Sequence, residues 1–442
     1  MTKHVGLKNS KSFLQATTWV CVFMGIVGSL AACQRSPLPQ QSVEPLAVMP
    51  SPGLKLGILV PTTGTLGTMS QSILEVLPLL TSTVNSCGGV NDAPVSLVVE
   101  EAPLSPKTDA SLIKELATEA QVNAVISVFG SEASTIAELE ATVPYKIPLI
   151  SSSNTSSVFT ERSKKGDFQG FWNRTIPADT TQAIVLAQLA KNRGFKTVST
   201  VVLNTESGIR FEKAFIAAFE KSGGTVLNKA NPTRYNPQGD RFDEEAFAAF
   251  YPAGTMPDAV VGDLNPDTGS LLLQSADELG LLEGVQLLLS DRIRNPVNSL
   301  TGTTTQPFLP EGTIGIAASA KNVENDSFLK IWEEAQTESP GIYAPQTWDA
   351  AALLVLAAEA AKSNQGDAIR GKLREVANAP GIEVADLCEA LQHLRDGKDI
   401  NYQGASGKVD LDANGDVSSS YEIWTVDMQG KIREIGQVEP NP

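Results

Sequence analysis

Apolar residues fall along this chain in short continuous runs, separated by stretches whose apolar positions recur at helical spacing. Runs at 54–60, 95–100, 122–129 and 147–150 are rich in Val, Ile and Leu, with little polar alternation. The runs at 122–129 and 147–150 mark strands buried on both faces of a parallel sheet. Between the last two, Ile136, Leu139 and Val143 form one stripe of a helix over 134–143. Strand, helix, strand is a βαβ unit, whose right-handed crossover brings both strand ends to one edge. Residues 122–155 therefore organise the chain, because each strand there runs into hydroxyls. The first enters Gly130-Ser131-Glu132-Ala133-Ser134-Thr135, the second Ser151-Ser152-Ser153-Asn154-Thr155. Ligands of open α/β sheets bind outside the carboxyl ends of strands. Hydroxyls and free backbone N–H groups there suit a small anion such as a carboxylate. The same residue types also suit plain helix capping.

The pattern then repeats. A short strand at 171–175 is followed by Pro177-Ala178-Asp179, which opens a helix, and strands are predicted at 197–203, 225–228, 259–263, 286–290 and 312–318. Phe211, Ala214, Phe215, Ala218 and Phe219 share one helical face, a stripe that belongs to a core rather than to a cofactor box. Helices are expected at 244–250, 269–279, 327–337, 346–362, 366–378 and 383–395, and β structure at 407–412 and 417–426. Two α/β series predict an α/β fold of two parallel-sheet units.

Charge narrows the partners. The formal net charge is −16, and removing residues 1–32 deletes three lysines and no acid, leaving −19. A surface of that sign repels nucleic acid and anionic lipid. Two histidines occur, and His4 lies in the segment expected to be removed. One remaining imidazole, His393, argues against His-based triads and multi-His metal sites. Asp410, Asp412, Asn414 and Gly415 mimic the start of a calcium loop, but Tyr421 stands where the bidentate Glu belongs. Asn414-Gly415 between β runs signals a hairpin instead. No G-x-S-x-G or H-E-x-x-H motif is present, and Gly404-Ala405-Ser406-Gly407-Lys408 lacks phosphate-loop spacing. No enzyme, metal or cofactor is expected.

Residues 1–32 read as an export signal: Lys3, Lys8 and Lys11, then an apolar core from Ala16 to Leu30 too short to span a bilayer. Leu30-Ala31-Ala32-Cys33 resembles the bacterial lipobox, which implies a lipidated Cys33 anchoring the chain outside the cytoplasmic membrane. Five prolines within 33–53 predict an extended tether. With Cys21 leaving in the signal and Cys33 lipidated, Cys87 and Cys388 remain, as a disulfide or as two buried thiols.

Beyond the tether, the residues resemble type I periplasmic binding proteins of the leucine/branched-chain amino acid-binding group, which serves ABC transporters. The resemblance rests on 56–64, on Val84-Asn85 with Gly88-Gly89-Val90, on 147–155, on Phe171-Trp172-Asn173-Arg174-Thr175 and on 401–410. It implies two Rossmann-like lobes joined by three crossing strands: lobe 1 at 54–173 and 319–405, lobe 2 at 174–318 and 406–442. Both Cys87 and Cys388 would then fall in lobe 1. The resemblance places a ligand carboxylate against Ser131, Glu132, Ser153 and Thr155, and a ligand ammonium against Asp291. Met69, Ser207 and Leu264 replace aromatic walls common in the family. Glu132 and Asp263 add acid to the rim, which shifts the expected ligand from a branched-chain amino acid toward a basic amino acid, amide or polyamine. The implied function is delivery of that solute to ABC permease subunits; the alternative is the same fold acting as a sensor or as an activator of another envelope protein.

Overall fold

The computed structural model describes residues 53–61, 70–103, 105–128, 131–236, 238–294, 307–319, 327–336, 340–341 and 343–440. The expected signal, Cys33, the tether and Met69 lie outside these residues.

The first sheet holds β1 (Lys55–Pro61), β2 (Ser96–Ala102), β3 (Ala124–Ser127), β4 (Leu149–Ser151) and β5 (Trp172–Arg174) in the order β2-β1-β3-β4-β5. Every pairing in it is parallel. The central strands β3 and β4 are buried at every residue, as an apolar run without alternation requires when helices cover both faces. Those helices include α1 (Gln71–Ser86), α2 (Pro106–Glu115), α3 (Glu132–Thr142) and α4 (Val158–Lys164).

The second series runs α5 (Asp179–Asn192), β6 (Thr197–Leu203), α6 (Glu206–Lys221), β7 (Thr225–Val226), β8 (Thr233–Tyr235) and α7 (Asp243–Phe250). It continues through β9 (Ala259–Asp263), α8 (Thr268–Glu278), β10 (Gln286–Leu289) and β11 (Ile314–Ala318). Phe211, Phe215 and Phe219 of α6 are buried in its core, and the Phe215 and Phe219 rings stack at 5.6 Å.

The chain then returns to the first core through α9 (Ser327–Ala335), α10 (Ala344–Ala361), α11 (Gly366–Ala377), β12 (Ile382–Val384), α12 (Leu387–Arg395), β13 (Ile400–Gly404) and β14 (Gly407–Lys408). Helix α10 is apolar all round and is buried nearly all round, at the centre of that core beside α1. Its deepest carboxylate, Asp349, accepts from Tyr402 Oη (3.1 Å), the N–H groups of Ala405 and Ser406 (2.7 Å each) and Ser406 Oγ (2.6 Å). The Gly404-Ala405-Ser406-Gly407 turn thus wraps an internal carboxylate. Segment 383–395, expected as one helix, divides: Ile382–Val384 pairs with β13, and Asp386 caps a new helix by accepting from Glu389 N at 2.9 Å. Cys87, at the end of α1, is bonded to Cys388 of α12, with Cα atoms 5.5 Å apart.

Residues Val409, Leu411 and Val417 stay in the first core, around a turn in which Asp412 Oδ1 accepts from Asn414 N and Asp416 N. Gly415 sits there at φ +83, and a Cβ on it would lie 2.2 Å from Trp172 O, so this turn tolerates no side chain. Finally β15 (Tyr421–Val426) and β16 (Ile432–Val438) join the second sheet antiparallel. The second sheet reads β16-β15-β11-β10-β9-β6-β7, with β8 also on β6. Its parallel part repeats the 2-1-3-4-5 order of the first sheet. The chain passes to the second sheet after β5, returns to the first core after β11, and rejoins the second sheet at β15. Ser319 N donates to Ser420 O (2.8 Å) and Arg174 N to Gly415 O (2.9 Å), which ties the three crossings together.

Candidate functional site

A cavity of about 80 Å³ lies where strand ends of both lobes meet. Thr155 reaches it from the loop after β4, and Asp263, Asp291 and Ala318 from the ends of β9, β10 and β11. The crossing from Ile176 to Asp179, Gln182 of α5, Phe211 of α6, Tyr343 and Tyr421 complete the wall. These positions follow from topology, because two sheets of the same strand order face each other with their carboxyl ends.

The parallel register that pairs Leu289 with Gly262 sets Ser290 beside Asp263. Ser290 Oγ donates to Asp263 Oδ1 at 2.7 Å, and Arg292 Nε lies 3.0 Å from both carboxylate oxygens. Arg292 also reaches Ser207 Oγ at 3.5 Å. The Asp263 carboxylate raises the Arg292 pKa, so this pair is internally neutralised. Arg294 pairs instead with Glu422 at 2.7 Å. Asp291 therefore has no ion pair within 4 Å among the described residues. Burial pushes its pKa up, against a hydrogen bond from Gln182 and the field of Arg292.

Asp179, the first residue of α5, uses one oxygen locally: Oδ1 accepts from Thr180 N at 2.7 Å, while its own N–H donates to Thr155 O at 2.8 Å. Its Oδ2 has no hydrogen-bond partner among the described residues, with Arg210 Nη2 4.0 Å away. Desolvation raises the Asp179 pKa against the fields of Arg210 and Arg174. Tyr421 is 1% exposed, and its hydroxyl is likewise without a partner among the described residues.

Beside the cavity, Arg210 of the second lobe crosses to the first. Its Nη2 lies 2.8 Å from Glu132 Oε2 and 3.0 Å from Ser156 Oγ, and Ser156 also donates to Glu132. Glu132, expected on the rim as a repelling acid, is thus engaged in a contact between lobes and does not line the cavity. Ser131 is an exposed cap of α3, accepting from Ser134 N at 3.1 Å. Ser153 is half-buried and outside the cavity wall, and Ser207 touches Arg292 from the start of α6. Of the expected ligand residues among those described, Thr155, Asp263 and Asp291 meet at the cavity.

Sequence reasoning missed Asp179, Gln182, Arg292, Tyr343 and Tyr421. Asp179 was legible only as a helix start, and Tyr421 only as the wrong residue for a calcium loop. Asp416, directly after that mimic, is held by Arg174 at 2.7 Å and Thr160 Oγ1 at 2.6 Å. Among the described residues no three His, Cys, Asp or Glu side chains are grouped to hold a metal ion, and no helix is long and apolar enough to cross a membrane.

Two lobes of parallel sheet with a cavity between their strand ends define a type I periplasmic binding protein fold. The chain belongs to the family described as receptor family ligand binding region, which it matches over residues 73–429. It is 24% identical over 399 residues to the chemotactic signal transduction system substrate-binding protein BasB of Halobacterium salinarum, spanning 86% of this chain and 89% of BasB. The branched-chain amino acid transporter substrate binding protein LivJ of Streptococcus pneumoniae, solved with isoleucine, superimposes with a TM-score of 0.63 at 16% identity, over 88% of this chain and 100% of LivJ. A solute binding protein of an ABC transporter from Rhodopseudomonas palustris, solved with 3,4-dihydroxybenzoic acid, gives 0.62 at 18% identity, over 88% and 98%. At such identity these two structures share a fold with this chain, and their ligands differ from each other.

Proposed function

We propose that this chain is an extracytoplasmic solute receptor, anchored by lipid on Cys33, that captures a small polar solute bearing a protonated amine and delivers it to an ABC permease. The observation that carries this reading is a cavity walled by both lobes: Thr155 and Tyr343 come from the first, Asp263, Asp291 and Arg292 from the second. A solute touching both walls favours the closed arrangement by its differential contacts, and no chemistry on it is needed. Asp291 serves as the ammonium anchor and Thr155 as a hydroxyl contact on the opposite wall. We place the return to the second lobe after Val417, since Val409, Leu411 and Val417 pack in the first core.

Native mass spectrometry of the gently purified chain identifies the bound solute, and calorimetric titration of that solute tests the anchor. Leaving a desolvated cation unpaired costs about 2–5 kcal/mol, so Asp291→Asn weakens binding by roughly thirtyfold or more. Thr155→Ala removes one hydroxyl and costs less. Parental affinity in Asp291→Asn removes Asp291 from the role.

The second reading, a sensor, is favoured by the relationship to BasB, named for a chemotactic signal transduction system. Crosslinking of the ligand-loaded protein in its own membrane separates the two: a permease subunit supports delivery, and a signalling receptor supports sensing.

A further inference from the structure

The charges around the cavity do not balance. Asp179, Asp263 and Asp291 face it with Arg292, and Arg292 is committed to Asp263 at 3.0 Å. Among the described residues, Asp291 then has no ion pair within 4 Å, and Asp179 has only the 4.0 Å approach of Arg210. Asp179 is only 8% exposed, and its Oδ2 finds no hydrogen-bond partner among the described residues. Arg210, 4.0 Å from that oxygen, spends its Nη2 on Glu132 and Ser156. The Tyr421 hydroxyl, on the same wall, is also buried and without a partner among the described residues. Asp179 and Tyr421 both belong to the cavity wall, so each brings there a polar atom that a ligand could complete.

We propose, resting on the solute-receptor reading above, that the cavity takes a small organic solute with two positively charged nitrogen groups, one at Asp291 and the other at Asp179 beside Tyr421. A neutral zwitterion brings one ammonium, leaves one of these carboxylates unpaired and adds a carboxylate of its own; in a desolvated site each such charge is costly. The three acids are not grouped to hold a metal ion, so the positive charge is spread over an organic frame. Burial raises the pKa of Asp179 against the fields of Arg210 and Arg174, and that of Asp291 against a Gln182 hydrogen bond and the field of Arg292. A diamine and a dibasic amino acid share this chemistry. The second differs by a carboxylate, for which the Thr155 and Tyr421 hydroxyls are the available donors.

The test is calorimetric titration of the ligand-free chain with 1,4-diaminobutane, lysine, leucine and 4-hydroxybenzoate, repeated on Asp179→Asn and Tyr421→Phe. One of the two compounds with two ammonium groups, the dications (although lysine also carries a carboxylate), is expected to bind at least tenfold more tightly than leucine and 4-hydroxybenzoate. Which of them it is distinguishes the diamine from the dibasic amino acid. Asp179→Asn is expected to weaken that dication at least tenfold, and Tyr421→Phe several-fold. The ligand-free melting temperature of Asp179→Asn should stay level or rise, because a buried charge whose Oδ2 makes no hydrogen bond and whose ion pair with Arg210 is long has been removed. Tighter binding of leucine or 4-hydroxybenzoate overturns the proposal and leaves the receptor reading standing. Dication affinity unchanged in both variants overturns the assignment of Asp179 and Tyr421. Binding of none of the four overturns the dication proposal; the receptor reading then rests on the solute found by native mass spectrometry.

Discussion

Glu138 offers a quantitative test of how this fold handles a buried acid. It sits on α3 facing the first sheet, 1% exposed, and its Oε2 has no hydrogen-bond partner among the described residues. Burial pushes its pKa from 4.5 to about 7; Ser127 opposes the rise, and the carboxylate of Asp109, itself fully buried, adds to it. An acid with a higher pKa in the folded than in the unfolded chain holds its proton more tightly when folded. Its contribution to stability is therefore complete below pH 4.5 and is lost as the pH rises through about 7. At about 1.4 kcal/mol per pH unit, that interval is worth roughly 3 kcal/mol. Glu138→Gln keeps the shape and abolishes the titration. The variant should match its parent near pH 5 and exceed it by up to about 3 kcal/mol at pH 8. Urea unfolding followed by tryptophan fluorescence, at half-unit steps from pH 4.5 to 8, reads the difference directly. Asp349, raised to about 6, titrates in both proteins and drops out of that difference. A flat difference across this range would show that Glu138 titrates as an ordinary exposed acid, and the argument from burial would fail.

Three further outcomes are expected. Arg210→Gln removes the contact from α6 to Glu132 and Ser156; a partly exposed ion pair is worth about 1 kcal/mol or less. Small-angle scattering of the ligand-free chain should show a larger radius of gyration, and an equal radius in parent and variant would refute a role in closure. Cys87 and Cys388 should yield no titratable thiol in the denatured, unreduced protein. Cleaving a bond that closes a loop of sequence separation 301 should lower stability by up to about 5 kcal/mol; two free thiols would count against the bond. Cys33→Ala should release the protein from the membrane fraction or leave it unprocessed, and mature membrane-bound chain with an unmodified residue 33 would reject the anchor.

The runs at 122–129 and 147–150 announced buried parallel strands because burial on both faces removes polar alternation, a signal local to each segment. The Phe211, Phe215 and Phe219 stripe and the apolar helix around Trp348 were legible for the same reason, and the order of the motifs was enough to identify the family. Segments balanced between states were not legible: Ile432–Val438, an edge strand of mixed polarity, and Ile382–Val384, a strand only because β13 lies beside it. The site divides along the same line. Thr155 stands at a strand end, where open α/β sheets bind ligands, and the family resemblance nominated Asp291, so both could be named before the fold was known. Asp179, Tyr421 and Arg292 reach the cavity because two sheets of the same order face each other and the chain crosses between them three times. That Arg292 pairs with Asp263 rather than Asp291, and that Glu132 is engaged by Arg210, depends on registers and lobe contacts between residues far apart in the chain. Local patterns settle how a segment buries its apolar face; which charges meet is decided only when distant segments are packed.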